Sequence, residues 1–354
     1  MPNYYDGSKL LSLKDINGET PEIYMVTSNR SAGKTTFFHR YLFRRFLKYG
    51  ERFALLYRFS DMLDDLDGKF FKDIGPLFFP DYVCKAVKKS RGLYVELYTC
   101  KREEQENPEA WRCCGYGLPL NTSNKLKNFS HYFSDVARIY FDEFQAEGGE
   151  YCPKEVDKFQ SIHTTIARGN GEQSRAVPVI MSANTVSIIN PYFTAFGISN
   201  KIQKDTKFLR GSGFVLECNY NEDADKAQSS SAFARAFGVN KFNQYQNGGT
   251  YALDASNFVE KMRGDSRYTF TLLKSGKKYG AHQFPGCLYI DKRVDGSCKT
   301  VIAGDIESHA PGAIMGVGSI YRRMCLDEFN AGRVRFYDLE TRSDFIDFLT
   351  SYYK

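Results

Sequence analysis

Apolar residues in the first sixty positions follow a strand, helix and strand pattern. An apolar run within residues 22–27 predicts a buried strand, and residues 28–35 form a polar loop. Within 36–49 the apolar residues recur at helical spacing, and Gly50 follows as the expected C-cap residue. A second apolar run in 52–59 predicts another strand. This order predicts a βαβ unit with a parallel sheet, and therefore an α/β fold.

The apolar pattern weakens between residues 61 and 130 and then returns as separate strands. Residues 92–100 predict a hairpin, which precedes a polar, charged stretch. Further strands are predicted at 136–141, at 177–182 and, as one or two short strands, within 208–219. Residues 1–20 are polar and turn-rich, so we expect a short N-terminal element laid on the domain that follows.

A change of hydrophobic period marks the last third of the chain. Residues 221–231 are polar and serine-rich, which is typical of a domain boundary. Beyond them, short alternating strands at 268–273, 279–283 and 287–290 predict an antiparallel meander followed by mixed helix, an α+β pattern. We therefore predict three parts, namely an α/β domain over 1–220, a linker module over 221–255 and an α+β domain over 256–354.

The composition fits a globular protein of more than one domain. The chain has 354 residues, 42% of them hydrophobic and 25% charged. Its net charge of +6 permits contact with phosphate without establishing it. Nine cysteines lack zinc-site spacing, no secretory signal opens the chain, and no apolar run approaches the ~18 residues of a membrane span. We expect a soluble intracellular protein with reduced thiols and no membrane partner.

A phosphate-binding loop lies between the first predicted strand and helix. The segment fits G-x-x-x-x-G-K-[ST] except that serine replaces the first glycine, and its residues are Ser28, Asn29, Arg30, Ser31, Ala32, Gly33, Lys34 and Thr35. Gly33 lets the backbone pass close to phosphate, and the helix N-terminus offers unpaired N–H groups. Lys34 would reach the β and γ phosphates, and the Thr35 hydroxyl would ligate Mg²⁺. The pattern predicts a site for ATP and Mg²⁺.

An acidic pair ends the strand predicted at 136–141. Parallel strands deliver their carboxyl ends to one edge of a sheet, so Asp142 and Glu143 are expected beside the phosphates. Asp142 would hold Mg²⁺ through water, and Glu143 would polarise the attacking water. Simple P-loop kinases need only the first carboxylate, because their nucleophile comes from the substrate. The pair therefore favours hydrolysis coupled to movement over a solvated acidic strand end.

Two further polar residues have a suitable placement. Asn184 follows the strand predicted at 177–182 and could sense the γ-phosphate, although a turn-forming asparagine is equally common there. Arg168 precedes the glycine-containing loop 169–171 and could serve a neighbouring subunit as an arginine finger. From the residues alone, a surface arginine is the simpler interpretation.

Read together, these segments resemble the DNA-packaging ATPase family of phi29-like bacteriophages. The resemblance covers most of the chain, in order and with similar spacing. It is carried by 27–35, 46–51, 140–144, 165–168, the Asn-Pro-Tyr-Phe segment within 184–193, and the C-terminal runs 258–266 and 288–291.

This resemblance implies an additional-strand (ASCE-type) P-loop ATPase domain with a mainly parallel sheet, a small linker and a vestigial RNase H-like nuclease domain. It also implies a homo-oligomeric ring, usually a pentamer, docked on the portal of a prohead. The partners would be double-stranded DNA, the portal and a packaging RNA. The expected location is the host cell cytoplasm, with transient attachment to the prohead.

The resemblance also assigns roles to individual residues. Lys34 and Thr35 become the Walker A phosphate and Mg²⁺ residues, and Asp142 with Glu143 becomes the Walker B pair. Arg168 falls at the position of the family's trans-acting arginine finger. The resemblance therefore favours this role over a surface arginine. The remaining matches are Arg30 in the P-loop, Asn184 as the coupling position after the fourth strand, and Lys125 or Lys127 as a second trans-acting cation.

Nuclease activity is a separate question. Cleavage of the RNase H type needs two Mg²⁺ ions held by several carboxylates, but the first meander strand has no acidic residue and Asp291 alone cannot build that site. We expect a non-cleaving domain used for docking, with phosphate contact through Lys274, Lys277, Lys278 and Arg293. The alternatives are a large terminase with an active nuclease, a small-molecule P-loop kinase and a non-catalytic nucleotide switch, which Glu143 disfavours.

Overall fold

The computed structural model describes residues 4–146, 150–168, 174–202, 206–230 and 259–350. Within these ranges the chain forms two compact units, one of 4–185 with 207–230 and one of 186–202 with 206 and 259–350. Most of the predicted linker, 231–255, and the predicted loop 169–171 lie outside the described residues. The predicted domain limits at 220 and 255 stay predictions.

The first unit is built on a mostly parallel sheet. Its described strands are β1 (Ile23–Ser28), β2 (Arg52–Tyr57), β3 (Tyr82–Lys89), β4 (Tyr94–Lys101), β5 (Arg112–Pro119), β6 (Val136–Asp142), β7 (Val179–Asn184), β8 (Phe208–Gly211) and β9 (Phe214–Cys218). They are ordered β3-β4-β5-β2-β6-β7-β1-β9-β8. In this order, each pair from β5-β2 through to β1-β9 is parallel. The edge pairs β3-β4, β4-β5 and β9-β8 are antiparallel. The α/β prediction is confirmed, and β7 is the additional strand between β1 and β6.

Helices cover this sheet. The described helices of the first unit are α1 (Ser8–Ser12), α2 (Lys34–Tyr49), α3 (Leu66–Phe71), α4 (Ile74–Phe78), α5 (Ser123–Leu126), α6 (Glu155–Ala167) and α8 (Glu222–Ser229), while α7 (Pro191–Ala195) belongs to the second unit. The apolar face predicted for α2 packs into the core through Phe38, Leu42 and Phe46. Gly50 has φ 71° and donates its N–H to the Phe46 carbonyl at 2.8 Å, which confirms the predicted C-cap.

One local prediction is wrong. Residues 92–100 do not form a hairpin, because β4 runs through most of this interval as one strand that pairs with β3 and β5. The turn lies earlier, at Ser90, Arg91 and Gly92, which all have positive φ. The partner strand β3 carries Lys85, Lys88 and Lys89 at uneven spacing, so polar and apolar positions do not alternate and the sequence carries a weak strand signal.

The second unit contains a six-stranded sheet among its described residues. The strands are β10 (Arg267–Lys274), β11 (Lys277–Phe284), β12 (Cys287–Asp291), β13 (Val301–Ala303), β14 (Ile314–Met315) and β15 (Val334–Phe336), and the described helices besides α7 are α9 (Ile320–Asn330) and α10 (Leu339–Thr350). Their order is β14-β13-β10-β11-β12-β15. The predicted antiparallel meander β10-β11-β12 is confirmed. Parallel strands β13 and β14 extend it beyond β10.

None of the described helices combines the length and the apolar character that a membrane span requires.

Candidate nucleotide site

The loop between β1 and α2 is shaped by left-handed backbone conformations. β1 ends at Ser28 and α2 begins at Lys34, while Ser31 has φ 59° and Gly33 has φ 93°. A Cβ atom at Gly33 would lie 3.1 Å from the ring of Tyr4, so this position favours glycine for its conformation and for its space. The turn leaves the first N–H groups of α2 at the loop, where unpaired donors and the helix dipole attract an anion.

The Lys34 ammonium lies inside this loop. Its Nζ donates to Ser28 Oγ at 2.7 Å and to the Asn29 carbonyl at 3.2 Å, and it lies 3.4 Å from Asn184 Oδ1. The side chain is buried, and this burial lowers the pKa of Lys34 to about 8 although the carboxylates of Asp142 and Glu143 oppose the fall. Ser28, the departure from the loop consensus, therefore supplies an acceptor for the lysine.

Other loop residues hold the loop in place. The Asn29 side chain forms two 2.9 Å hydrogen bonds with the backbone of Asn221, accepting from its N–H and donating to its carbonyl. The buried Ala32 accepts the N–H of Tyr5 at 2.8 Å. Arg30 is half-buried and Ser31 is exposed. The Asn29 side chain is thus engaged in anchoring the loop.

Asp142 ends β6 directly beside the start of α2. The Thr35 hydroxyl donates to Asp142 Oδ2 at 2.7 Å, and the Ser182 hydroxyl donates to Asp142 Oδ1. Ser182 lies opposite Asp142 in the parallel pairing of β6 with β7, and its Oγ is 2.7 Å from the Tyr140 hydroxyl. The carboxylate is therefore held from two sides.

Glu143 follows in a left-handed conformation, with φ 55° and an exposed side chain. Its N–H donates to Asp142 Oδ1 at 3.0 Å, and its carbonyl accepts from the Arg58 guanidinium at 3.2 and 3.3 Å. Sequence reasoning missed Arg58 and Ser182. The available signal was their position at the carboxyl ends of β2 and β7, the strands on either side of β6.

The sheet brings most of the predicted site together and leaves Arg168 apart. Lys34, Thr35, Asp142, Glu143 and Asn184 meet at the carboxyl edge of β1, β6 and β7. Asn184 reaches Lys34 because β1 and β7 pair in parallel with Ser28 opposite Asn184.

Arg168 follows the last residue of α6 and is exposed. The last turns of α6 lie at the amino edge of the strands, where His163 Nε2 is 3.1 Å from the Val177 carbonyl and 3.3 Å from Glu22 Oε1. A 13-residue helix is about 20 Å long, so Arg168 is far from the loop between β1 and α2. Lys125 on α5 and Lys127 just after it are both exposed.

The described residues of the second unit show no comparable acidic site. Asp291 is buried at the end of β12, where Oδ1 lies 3.1 Å from His282 Nε2 and accepts the N–H of Arg293 at 2.8 Å. Throughout the described part of the chain, no three His, Cys, Asp or Glu side chains are grouped so that they could hold a metal ion. Three of the four predicted phosphate-contacting cations are engaged with carboxylates, in the ion pairs Lys274–Asp305, Lys277–Glu340 and Arg293–Asp291.

Comparison with known proteins gives a consistent result. Residues 2–351 match a family described as Podovirus DNA encapsidation protein (Gp16). A DNA packaging protein of Bacillus phage phi29 is 26% identical over 302 residues, which are 84% of this chain and 81% of that protein. A DNA packaging protein of Bacillus phage B103 is 25% identical over 318 residues, covering 88% and 91%. A solved structure of the bacteriophage Phi-29 viral genome packaging motor assembly has 23% identity and a TM-score of 0.52, covers 96% of this chain and 97% of its own, and shares the fold.

Proposed function

Because this chain belongs to the Podovirus DNA encapsidation protein (Gp16) family, we propose that it is an ATP-hydrolysing motor subunit that moves double-stranded viral DNA into a prohead. The observation that carries the proposal is the convergence of Lys34, Thr35, Asp142, Glu143 and Asn184 at one sheet edge. A lysine, a hydroxyl and two carboxylates beside a helix N-terminus are the groups that bind a triphosphate and activate water.

The residues present fit a Mg²⁺ ion. Thr35 Oγ1 and Asp142 Oδ2 are two oxygen donors only 2.7 Å apart, and Mg²⁺ prefers oxygen ligands, of which proteins usually supply one or two beside phosphate and water. When bound, the ion would offset negative charge on the phosphates. The Ser182 hydroxyl would keep the Asp142 carboxylate oriented toward Thr35.

The other residues would act on the nucleotide directly. Lys34 would exchange its contacts with Ser28 and Asn29 for the phosphates. Glu143 would orient and deprotonate the attacking water, and Asn184, next to Lys34, would respond to the γ-phosphate. An exposed Arg168 at the opposite sheet edge supports action in trans, in a ring where each subunit serves its neighbour's nucleotide.

The family resemblance supports a proposal for the assembly. We propose a ring, with five subunits as the expected number, that docks on the portal of a prohead in the host cytoplasm and there meets a packaging RNA. The second unit would serve docking and would not cleave DNA, since its buried Asp291 is held by His282 and Arg293 and is not grouped with further carboxylates among the described residues.

Steady-state ATPase assays with purified protein test this function. We measure phosphate release with protein alone, with double-stranded DNA, and with DNA and proheads, and we follow plasmid integrity in the same Mg²⁺ buffer. The proposal predicts hydrolysis that DNA and proheads stimulate, with intact plasmid. Absence of hydrolysis under all conditions would refute it. Metal-dependent plasmid cleavage would instead indicate a large terminase, and phosphorylation of a small acceptor would indicate a kinase.

A further inference from the structure

The buried hydroxyl of Tyr140 lies behind the Asp142 carboxylate. Tyr140 precedes Asp142 by two residues on β6, so their side chains lie on the same face of the sheet. The Tyr140 hydroxyl oxygen is 2.7 Å from Ser182 Oγ, and the Ser182 hydroxyl donates to Asp142 Oδ1. Tyr140 is 1% exposed and Ser182 is 0% exposed. These side chains form a polar chain from β6 through β7 to the acidic end of β6, and two of its three members are fully buried.

The direction of the hydrogen bonds in this chain is fixed. An ionised carboxylate only accepts, so Ser182 uses its single hydroxyl hydrogen for Asp142. Tyr140 must then be the donor in its contact with Ser182. The Tyr140 hydroxyl therefore keeps the Ser182 hydrogen directed at Asp142.

The two carboxylate oxygens of Asp142 have different partners. Oδ1 accepts the Ser182 hydroxyl and also the N–H of Glu143, the latter at 3.0 Å. Oδ2 accepts the Thr35 hydroxyl at 2.7 Å, at the start of α2. Protein donors thus hold Oδ1, while Oδ2 faces the residue that is proposed to share the Mg²⁺ ion.

The Tyr140 ring adds a second constraint. Its centre lies 5.6 Å from the Phe38 ring and 5.4 Å from the His39 ring, which are buried on α2 one turn after Thr35. Tyr140 therefore sets the spacing between α2, which carries Thr35, and β6, which carries Asp142. Its hydroxyl meanwhile reaches β7.

We propose that Tyr140 and Ser182 form a positioning pair that keeps Asp142 Oδ1 on the protein and presents Oδ2 to Mg²⁺ beside Thr35. The inference rests on the Mg²⁺-dependent nucleotide site proposed above and adds the buried tyrosine behind it. Neither residue belongs to the phosphate-binding loop or to the proposed metal ligands. Residues that orient a metal ligand contribute about 10–100-fold to metal affinity. The pair should therefore strengthen nucleotide binding in Mg²⁺ and leave metal-free binding unchanged.

The experiment must separate positioning from loss of packing. Tyr140→Phe removes the hydroxyl and keeps the ring on α2, and Ser182→Ala removes the donor to Asp142. Because Ser182→Ala alone takes this acceptor away from the buried Tyr140 hydroxyl, the double variant removes both polar groups together. The matched control is Tyr116→Phe, another buried tyrosine of the same sheet, whose hydroxyl accepts from Arg52 Nη1 at 3.3 Å near the amino end of β2.

For each protein we measure the Kd of a fluorescent ATP analogue in MgCl₂ and again in EDTA, together with Tm without nucleotide. We expect Ser182→Ala and the double variant to weaken binding about tenfold or more in Mg²⁺ and by less than about twofold in EDTA. Tyr140→Phe should weaken binding in Mg²⁺ about threefold or more, and Tyr116→Phe should match wild type in both buffers. The double variant should lose no more than Ser182→Ala, because Tyr140 acts through Ser182.

Equal losses in Mg²⁺ and in EDTA would overturn the inference, because they indicate general damage to the nucleotide loop. A folded double variant that binds in Mg²⁺ within about twofold of wild type would also overturn it, as would a loss equal to the product of the two single losses. Should the double variant fail to fold, a Tyr140→Phe protein with wild-type Kd in Mg²⁺ would decide against the pair.

Each of these results leaves the proposed ATP hydrolysis standing. A wild-type protein that hydrolyses no ATP would refute the proposed function itself, so the two failures are distinguishable.

Discussion

Replacing Lys34 by methionine should stabilise the nucleotide-free protein while it removes ATP turnover. The Lys34 side chain is 6% exposed, and burial holds its pKa at about 8 against 10.5 for an ordinary lysine. Because the folded-state pKa lies below the unfolded one, the charged lysine destabilises the fold fully below pH 8. This cost disappears as the pH rises toward 10.5.

The pKa difference sets the size of the effect. At about 1.4 kcal/mol per pKa unit, the fall from 10.5 to about 8 corresponds to about 3 kcal/mol. Methionine also loses the hydrogen bond to Ser28, which costs about 1 kcal/mol. The net gain is therefore about 2 kcal/mol near pH 7, or about 4–8 °C in Tm for a unit of this size.

Thermal unfolding followed by circular dichroism, without nucleotide and in EDTA, measures this gain. Lys34→Met should have the higher Tm at pH 7, and the difference should shrink by pH 10. Lys48→Met, an exposed position on the same helix, is the control and should leave Tm unchanged. Addition of ATP and Mg²⁺ should raise the Tm of the wild type and not that of Lys34→Met. An equal or lower Tm for Lys34→Met at pH 7 would refute the reasoning that burial penalises this lysine.

Three further predictions concern the same site. Glu143→Gln should bind a fluorescent ATP analogue with wild-type affinity and release phosphate about 10²-fold more slowly or worse, and normal turnover would contradict its role as base. Arg168→Ala should lose about 10³-fold or more in turnover alone and regain activity when mixed with Glu143→Gln subunits, because each mixed ring then contains complete interfaces; inactivity of every mixture would count against action in trans. Gly33→Ala should lower stability by about 1–2 kcal/mol and weaken nucleotide binding, since alanine is strained at φ 93° and its Cβ would press on Tyr4; an unchanged Tm and Kd would show that the loop adapts.

Contiguous stretches of sequence were enough to predict the groups that carry the chemistry. Neighbouring residues and the local spacing of apolar positions were enough to identify the P-loop from Ser28 to Thr35, the pair Asp142 and Glu143, and the C-cap at Gly50. The meander at β10 to β12 was predictable for the same reason. The strand β3 and the short strands β13, β14 and β15 were not predictable. The lysines of β3 are unevenly spaced, and strands of two or three residues are too short to show a period.

Only the tertiary structure decided which distant residues complete the site. Parallel pairing of β1, β6 and β7 sets Asn184 beside Lys34 and Ser182 beside Asp142, although up to 150 residues separate them in the chain. The fold also brings the Arg58 guanidinium to the Glu143 carbonyl and the Asn29 side chain to the backbone of Asn221. Arg168, after the end of α6, lies at the opposite edge of the sheet. Local sequence determines which side chains a strand end carries, but strand order and register depend on long-range packing across the whole sheet. These contacts therefore appear only when the chain has folded.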